Sequence, residues 1–187
     1  MGSSSGDATV LIVDDERAVA DAYTARLREE YETRTAYSGE GALETVDEGV
    51  DVVLLDRRMP DYSGDDVLER IRDRGLECRV IMVTAVDPDV EIVEMPFEDY
   101  LRKPASRDDL LSAIEQQLRA AEYDERITEL IELTTKLGLL ERDGSARGAD
   151  ATEEIEELRE RVDRLRADVD EAVEGFDDSK AAFEDLL

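Results

Sequence analysis

The sequence predicts an α/β fold with a five-stranded, doubly wound parallel sheet, followed by an all-α C-terminal part that forms a helical hairpin or a coiled coil. Two features favour it. Short runs rich in Val, Ile and Leu alternate with segments in which apolar residues recur every three or four positions, which is typical of βα units. After Ser106 only the helical pattern continues. Five βα units in succession indicate parallel strands with helices on both faces.

The predicted strands are short, and a helix or a turn follows each one. The run that ends at Leu55 is the most apolar, as expected for a strand that is covered on both faces of a parallel sheet. Pro60 and Gly64 then mark a turn. The predicted strands are Thr9–Val13, about Thr33–Tyr37, Val50–Leu55, Val80–Val83 and Tyr100–Arg102. The predicted helices are Val19–Leu27, Ser38–Gly49, Gly64–Arg74 and a long one after Ser106.

Polar side chains stand at the ends of four predicted strands. They are Asp14 and Asp15 after the first strand, Asp56 after the third, Thr84 after the fourth and Lys103 after the fifth. Each has an ordinary alternative, because aspartates cap helices and turns, threonine favours strands and lysine is usually a solvated charge. In a doubly wound sheet, however, these strand ends share one edge, where ligands bind. Their coincidence favours a site, and the adjacent carboxylates favour a bound cation.

From Val10 to about Leu118 the sequence resembles the receiver domain of two-component response regulators. The resemblance is carried by VDDE around Asp14, LLDRRMPDYSG around Asp56, VTA at Thr84 and YLRKP around Lys103. It implies a flavodoxin-like sheet with the strand order 2-1-3-4-5. On this reading residues 1–7 are a leader and residues 8–120 form the receiver domain.

The resemblance also implies a magnesium-dependent phosphoacceptor site. Asp56 is expected to accept the phosphoryl group. Asp15 is expected to bind Mg²⁺ directly and Asp14 through water, with the backbone carbonyl of Arg58 as a further ligand. A carboxylate is a weak nucleophile toward phosphorus, so a hard cation held by oxygen ligands is expected to assist it.

Three further residues are expected to sense the phosphoryl group. By the same resemblance, Thr84 and Lys103 contact its oxygens, and Tyr100 turns inward on activation. One departure from the family lies between Thr84 and Tyr100, where the segment is short and contains Pro88 and Pro96. A fourth helix in this segment is expected to be short or irregular.

The C-terminal part, residues 121–187, carries a heptad pattern in two stretches. The first stretch, Tyr123, Ile127, Leu130, Thr134 and Leu137, continues the helix that Ser106 begins. After the loop from Glu141 to Ala151, the second comprises Ile155, Leu158, Val162, Leu165, Val169, Ala172 and Phe176. Such a seam predicts an antiparallel hairpin within the chain or pairing with a second copy. This part resembles the HalX domain that follows receivers in haloarchaea.

Composition restricts the partners and the compartment. A net charge of −28 is tolerable where abundant salt shortens the Debye length, so a halophilic, cytoplasmic protein is expected. The same charge disfavours binding to nucleic acid or to anionic membranes, because both are polyanions. Cys78 is the only cysteine and there is no histidine, so neither an intrachain disulfide nor a Cys–His zinc site is expected. No apolar run approaches the roughly 20 residues of a membrane span.

The expected function is that of a response regulator that accepts a phosphoryl group from a histidine kinase. Its own chemistry is self-phosphorylation and slow dephosphorylation, so it is not expected to be an enzyme. Its output is expected through the fourth helix, the fifth strand and the fifth helix, and through the tail, to a downstream protein or to a second copy in a homodimer. The alternative is a transcriptional regulator that binds DNA through the C-terminal part, directly or through a partner. An acidic excess and no visible helix-turn-helix pair argue against direct binding.

A phosphatase that uses Asp56 as its nucleophile is a third class. Such an enzyme is expected to carry a second acid two residues later as the general acid, and Arg58 stands there. This class is therefore disfavoured.

Overall fold

Strands and helices alternate along the first part of the chain in the computed structural model, which describes residues 8–85, 95–143 and 155–170. The strands are β1 (Thr9–Val13), β2 (Glu32–Ala36), β3 (Val52–Leu55), β4 (Arg79–Thr84) and β5 (Asp99–Arg102). The helices are α1 (Arg17–Leu27), α2 (Gly39–Thr45), α3 (Gly64–Asp73), α4 (Arg107–Asp143) and α5 (155–170). The chain divides into two compact units, Met1–Arg119 and Ala120–Leu187. In the described part of the chain, no helix combines the length and the apolar character needed to cross a membrane.

The five strands form one parallel sheet in the order β2-β1-β3-β4-β5, which confirms the predicted topology. Every residue of β1 and β3 is buried, because helices cover both faces of the sheet. This burial explains why the Val52–Leu55 run is continuously apolar and does not alternate with polar residues. In contrast, β2 lies at an edge of the sheet and is partly exposed, which explains its polar sequence.

Alternate residues of the strands belong to two apolar clusters, one on each face of the sheet. Leu11, Val53 and Met82 belong to the cluster that also contains residues of α2 and α3. Residues one position along, such as Ile12 and Leu54, belong to the cluster that contains residues of α1 and of the first turns of α4. The two clusters hold the sheet rigidly between its helices, so the positions of the strand ends are fixed.

Side-chain caps set where the helices begin. Ser63 accepts a hydrogen bond from the Asp66 amide while the Asp66 carboxylate accepts one from the Ser63 amide, which is a capping box at the start of α3. Ser106 and Asp109 make the same pair of bonds before α4. These caps fix the helix starts that directly follow the loops carrying Asp56 and Lys103.

Most predicted boundaries differ from the structure by one or two residues, but one helix is clearly shorter than predicted and another cannot be compared with the structure. The second helix ends at Thr45, not at Gly49, because Val46 is extended and the Asp47 carboxylate accepts a hydrogen bond from the Gly49 amide in a turn. The helix expected between Thr84 and Tyr100 falls mostly in residues 86–94, outside the described residues.

In the second unit, α5 packs against the later part of α4, as the predicted hairpin requires. Val162 is 3% exposed and Leu133 is 9% exposed, and Arg161 pairs with Glu129. The other described residues of the predicted α5 seam are half-buried; they are Ile155, Leu158, Leu165 and Val169. Ala172 and Phe176 lie outside the described residues.

One position of the predicted α4 seam is wrong. Thr134 is exposed, and Leu133 takes the buried place. Both residues lie at a helical spacing from Leu130, three or four positions, and burial of the larger apolar side chain is more favourable. The seam therefore runs through Leu130, Leu133 and Leu137.

We expect Gly64→Ala to destabilise the first unit by about 2 kcal/mol or more. A Cβ at Gly64 would lie 2.3 Å from the Asp56 carbonyl oxygen and 2.8 Å from the Arg57 Cα, and neither atom is the end of a flexible side chain. Thermal unfolding followed by circular dichroism measures the effect. Gly138→Ala is the control, because apart from Gly138 itself, its two chain neighbours and the nearby backbone of α4, no atom of the described residues lies within 4 Å of its new methyl group. A Gly64→Ala protein as stable as the wild type would contradict this close approach.

We expect Val162→Asp to unfold the hairpin of the second unit, because it places a carboxylate at a position that is only 3% exposed. The cost is about 3 kcal/mol or more. Ile131→Asp is the matched control, since Ile131 is 62% exposed. Far-ultraviolet circular dichroism measures the loss of helix. Equal helicity in the two variants would show that Val162 does not anchor the hairpin.

Candidate functional site

Three carboxylates meet at the carboxyl edge of the sheet. Asp14 and Asp15 follow β1, and Asp56 follows β3. These two strands are neighbours and Val13 is aligned with Leu55, so the residues that follow them lie side by side. One carboxylate oxygen from each acid lies within 4.8 Å of those of the others. The convergence that the strand ends predicted is therefore present for these three residues.

Lys103 places an ammonium group between two of these acids. Its Nζ lies 2.6 Å from Oδ2 of Asp14 and 2.8 Å from Oδ2 of Asp56. The side chains of Asp14, Asp56 and Lys103 are 3%, 8% and 13% exposed, so these three groups are almost closed to water. Two buried carboxylates that share one ammonium form a far stronger interaction than exposed ion pairs do.

The ionisation of this cluster follows from its burial and its charges. Burial raises the pKa of Asp14, although the hydrogen bond and charge of Lys103 act in the opposite direction. Burial alone would lower the pKa of Lys103, but the hydrogen bonds and charges of Asp14 and Asp56 outweigh it and raise that pKa. Lys103 therefore stays protonated at neutral pH. Three acids converge here and one ammonium contacts two of them, so a bound cation would offset negative charge at the site.

The backbone around Asp56 is held on both sides. The Asp56 amide donates to the Val13 carbonyl over 2.9 Å, and the Gly64 amide donates to the Arg57 carbonyl over 2.8 Å. The Arg58 amide approaches Oδ1 of Asp56 at 3.4 Å, so this residue lies beside the carboxylate. These bonds leave the phosphoacceptor candidate little freedom to move away from the strand end.

Arg57 is a site neighbour that sequence reasoning missed. It directly follows Asp56, is buried, and its Nε lies 3.2 Å from Oδ2 of Asp65 at the start of α3. This pair ties the loop after β3 to the next helix. The two residues are eight positions apart, and this spacing alone does not predict that they pair. A basic residue in a turn is usually solvated, so Arg57 was not expected to be buried.

Thr84 and Tyr100 lie on the neighbouring strands, in different surroundings. Thr84 is the last residue of β4 and is 1% exposed, and its carbonyl accepts a hydrogen bond from the Lys103 amide over 2.9 Å. Tyr100 is half-buried on β5, beside Met82, and its ring centroid lies 6.0 Å from that of Phe97. A buried hydroxyl residue thus stands at one strand end and a half-buried aromatic at the sheet edge.

The donors at this edge suit a hard divalent cation. Carboxylate oxygens are the ligands that Mg²⁺ prefers, and the oxygens of Asp14, Asp15 and Asp56 are close enough to share one ion. Since Asp15 is only half-buried, the cluster keeps contact with solvent on its side. Mg²⁺ usually retains several waters, which such a half-open site would allow.

Two family models match the chain. The model of the response regulator receiver domain matches residues 10–115, and that of the HalX domain matches residues 119–187. A relative from Haloferax volcanii, whose name assigns it to transcriptional regulation, is 44% identical over 156 residues, which are 83% of this chain and 25% of the relative. The chain spans about half the length of other relatives that it matches, for example 51% of CutR from Streptomyces coelicolor.

Solved receiver structures share the fold. A signal receiver domain from Vibrio parahaemolyticus has a TM-score of 0.60 at 26% identity, covering 65% of this chain and 97% of that one. The response regulator TrrA from Thermotoga maritima, crystallised with Mg²⁺ and beryllofluoride, has a TM-score of 0.52 at 30% identity, covering 59% and 98%. With the family models, these structures and the acidic edge of the sheet in agreement, the chain belongs to the response regulators and carries a receiver domain followed by a HalX domain.

Proposed function

We propose that this response regulator accepts a phosphoryl group on Asp56 from a histidine kinase, in a reaction that needs Mg²⁺. The observation that carries the proposal is the closed cluster in which Lys103 lies 2.8 Å from Asp56 while two more acids border the same carboxylate. Asp14 also contacts Lys103 and has a hydrogen-bonded amide, so what distinguishes Asp56 among these acids is its place at the end of the central strand, β3.

The chemistry would be a transfer between two nucleophiles. A carboxylate oxygen of Asp56 forms a bond to phosphorus, the bond from phosphorus to the kinase histidine breaks, and its electron pair returns to the imidazole nitrogen. Lys103 lies where its ammonium can neutralise charge on the phosphoryl oxygens. Water later hydrolyses the acyl phosphate and restores Asp56. Because the protein is itself the substrate of this reaction, we do not class it as an enzyme.

Asp14, Asp15 and Asp56 would hold the cation, with the backbone carbonyl of Arg58 as a further ligand. Bound there, Mg²⁺ would withdraw charge from the transferring group and screen the acids from it. The carboxylates would then attract the Lys103 ammonium less strongly, and Lys103 could turn it toward the phosphoryl oxygens.

The conformational output would begin at Thr84 and Tyr100. Phosphorylation adds negative charge and three acceptor oxygens beside the strand ends, and the Thr84 hydroxyl is one donor that could satisfy them. Movement of Thr84 would change the space available to the Tyr100 ring, which is half-buried at the sheet edge. A change on this face, where β5 lies, would be the signal that a partner reads.

The helical tail would serve protein contacts. Its seam is occupied within the chain by the packing of α5 on α4, and it leaves Ile131 62% exposed. Within the described residues, Ile131 is the one large apolar side chain that is exposed, and it is compatible with a contact to a protein partner or to a second copy in a homodimer. Residues 8–120 would then be the switch and residues 121–187 the part that passes the signal on.

Transcriptional control is a second candidate because the Haloferax volcanii relative is named for it. The charges of the tail favour control of transcription through a partner protein over direct contact with DNA. In the described helix α5, acidic residues still outnumber arginines, and Arg161 is engaged with Glu129. Contact with DNA through a partner protein therefore fits this tail better than direct base reading.

We expect acetyl phosphate with Mg²⁺ to label Asp56, and Asp56→Asn to abolish the label, because an amide cannot form the acyl phosphate. Mass spectrometry of the protein and of its peptides measures the label. Asp61→Asn is the matched control, since Asp61 is an exposed acid of the same loop. Label that survives in Asp56→Asn would place the phosphoacceptor elsewhere.

We expect Asp15→Asn to weaken Mg²⁺ binding by about tenfold or more, because one of few direct oxygen ligands loses its charge. Titration calorimetry measures the affinity. Glu16→Gln tests for a general charge effect, because Glu16 is the exposed next residue and lies outside the cluster of three acids. Equal losses in the two variants would indicate that Asp15 acts only through its charge and is not a ligand.

A further inference from the structure

The loop after Lys103 is anchored on α1. The Ala105 amide donates to the Tyr23 hydroxyl over 3.4 Å, and the Ala105 carbonyl accepts from Nη1 of Arg26 over 2.8 Å. Ala105 is 4% exposed and Tyr23 is 6% exposed, so water has little access to these groups. Both polar groups of the Ala105 backbone are thus satisfied by side chains of a single helix.

The end of α1 and the residues just after it also hold the first turn of α4. Nε of Arg107 donates to the backbone carbonyl of Arg26 over 3.2 Å, and its Nη2 lies 3.0 Å from the Glu30 carboxylate. Arg26 therefore contacts both sides of the helix start. Its side chain holds Ala105 before the Ser106 cap, and its carbonyl holds Arg107 after it.

We propose that Arg26 is a positioning residue for phosphorylation at Asp56. Arg26 acts on Lys103 through Ala105, and it also couples Lys103 to the first turn of α4. This inference rests on the proposed function. Lys103 is held by two carboxylates, but as the Asp56 oxygen bonds to phosphorus that carboxylate holds the ammonium less strongly, while the phosphoryl oxygens attract it. The anchor two residues along the backbone then decides where the ammonium lies relative to the phosphoryl oxygens. Displacements of about 1 Å are enough to slow such reactions strongly.

Arg26→Gln removes the guanidinium from Ala105. We expect the maximal rate of Asp56 labelling by acetyl phosphate to fall about three- to tenfold, while the half-saturating acetyl phosphate concentration changes by less than about twofold. The maximal rate should change more than the half-saturating concentration because Arg26 does not touch acetyl phosphate and acts only on the geometry of Lys103. Arg26→Lys keeps a cationic donor near the same carbonyl and should restore at least about half of the rate.

Arg74→Gln is the matched control. Arg74 also uses Nη1 to donate to a backbone carbonyl, that of Leu43, but at a helix that does not carry site residues. It should keep the wild-type rate. If Arg74→Gln slows labelling as much as Arg26→Gln, or if Arg26→Gln keeps the wild-type rate, the positioning role is wrong. Should Arg26→Gln fail to fold, Tyr23→Phe removes only the hydroxyl that binds the Ala105 amide and must show the same direction of change.

The coupling between Lys103 and α4 is tested separately. Amide hydrogen exchange is measured in the first turns of α4, with and without beryllofluoride and Mg²⁺. The wild-type chain should show a change in protection there, and Arg26→Gln should reduce that change by about half or more. The same change in both proteins would refute the coupling. A wild-type chain that takes no label on Asp56 would overturn the proposed function and this inference together, which distinguishes it from the failures above.

Discussion

The charge balance around Lys103 is the constraint on which the first unit depends. Asp14 and Asp56 are almost fully buried, and burying a carboxylate without a partner costs several kcal/mol, on the order of what a whole domain gains by folding. One ammonium group stabilises both carboxylates, but only if the ends of β1, β3 and β5 are brought within a few ångströms of each other. The parallel sheet, with β3 at its centre and β1 beside it, satisfies this requirement.

This constraint also explains how much the sequence could predict. The strands were predictable because continuous apolar runs are typical of a sheet covered on both faces, and the acids and Lys103 were predictable because parallel strand ends share an edge. The bond from Arg26 to Ala105 was not predictable, since it joins residues 79 positions apart. A contact between a surface arginine and a backbone carbonyl requires no particular residue type at Ala105, so it leaves no periodic mark in the sequence.

The tail shows a second limit of sequence patterns. A heptad spacing of three and four positions fits Leu133 and Thr134 equally well, because 3.6 residues per turn place both near the same stripe. The structure buries Leu133 and leaves Thr134 exposed, as the larger transfer free energy of leucine requires. On α5 the sequence leaves no such ambiguity, because each described seam position is flanked by charged residues. The five described seam residues of α5 all lie on its less exposed face.

Burial and acidity act together in this protein. The chain has 51 acidic and 23 basic residues, and dissolved salt screens the repulsion among those at the surface. The same salt weakens exposed pairs such as Arg34 with Asp47, whose side chains are 37% and 61% exposed. It affects the Lys103 cluster much less, because ions cannot easily enter among groups that are at most 13% exposed. The interactions that organise the candidate phosphoacceptor site are therefore those that high salt leaves strong, while the exposed surface carries most of the remaining acids.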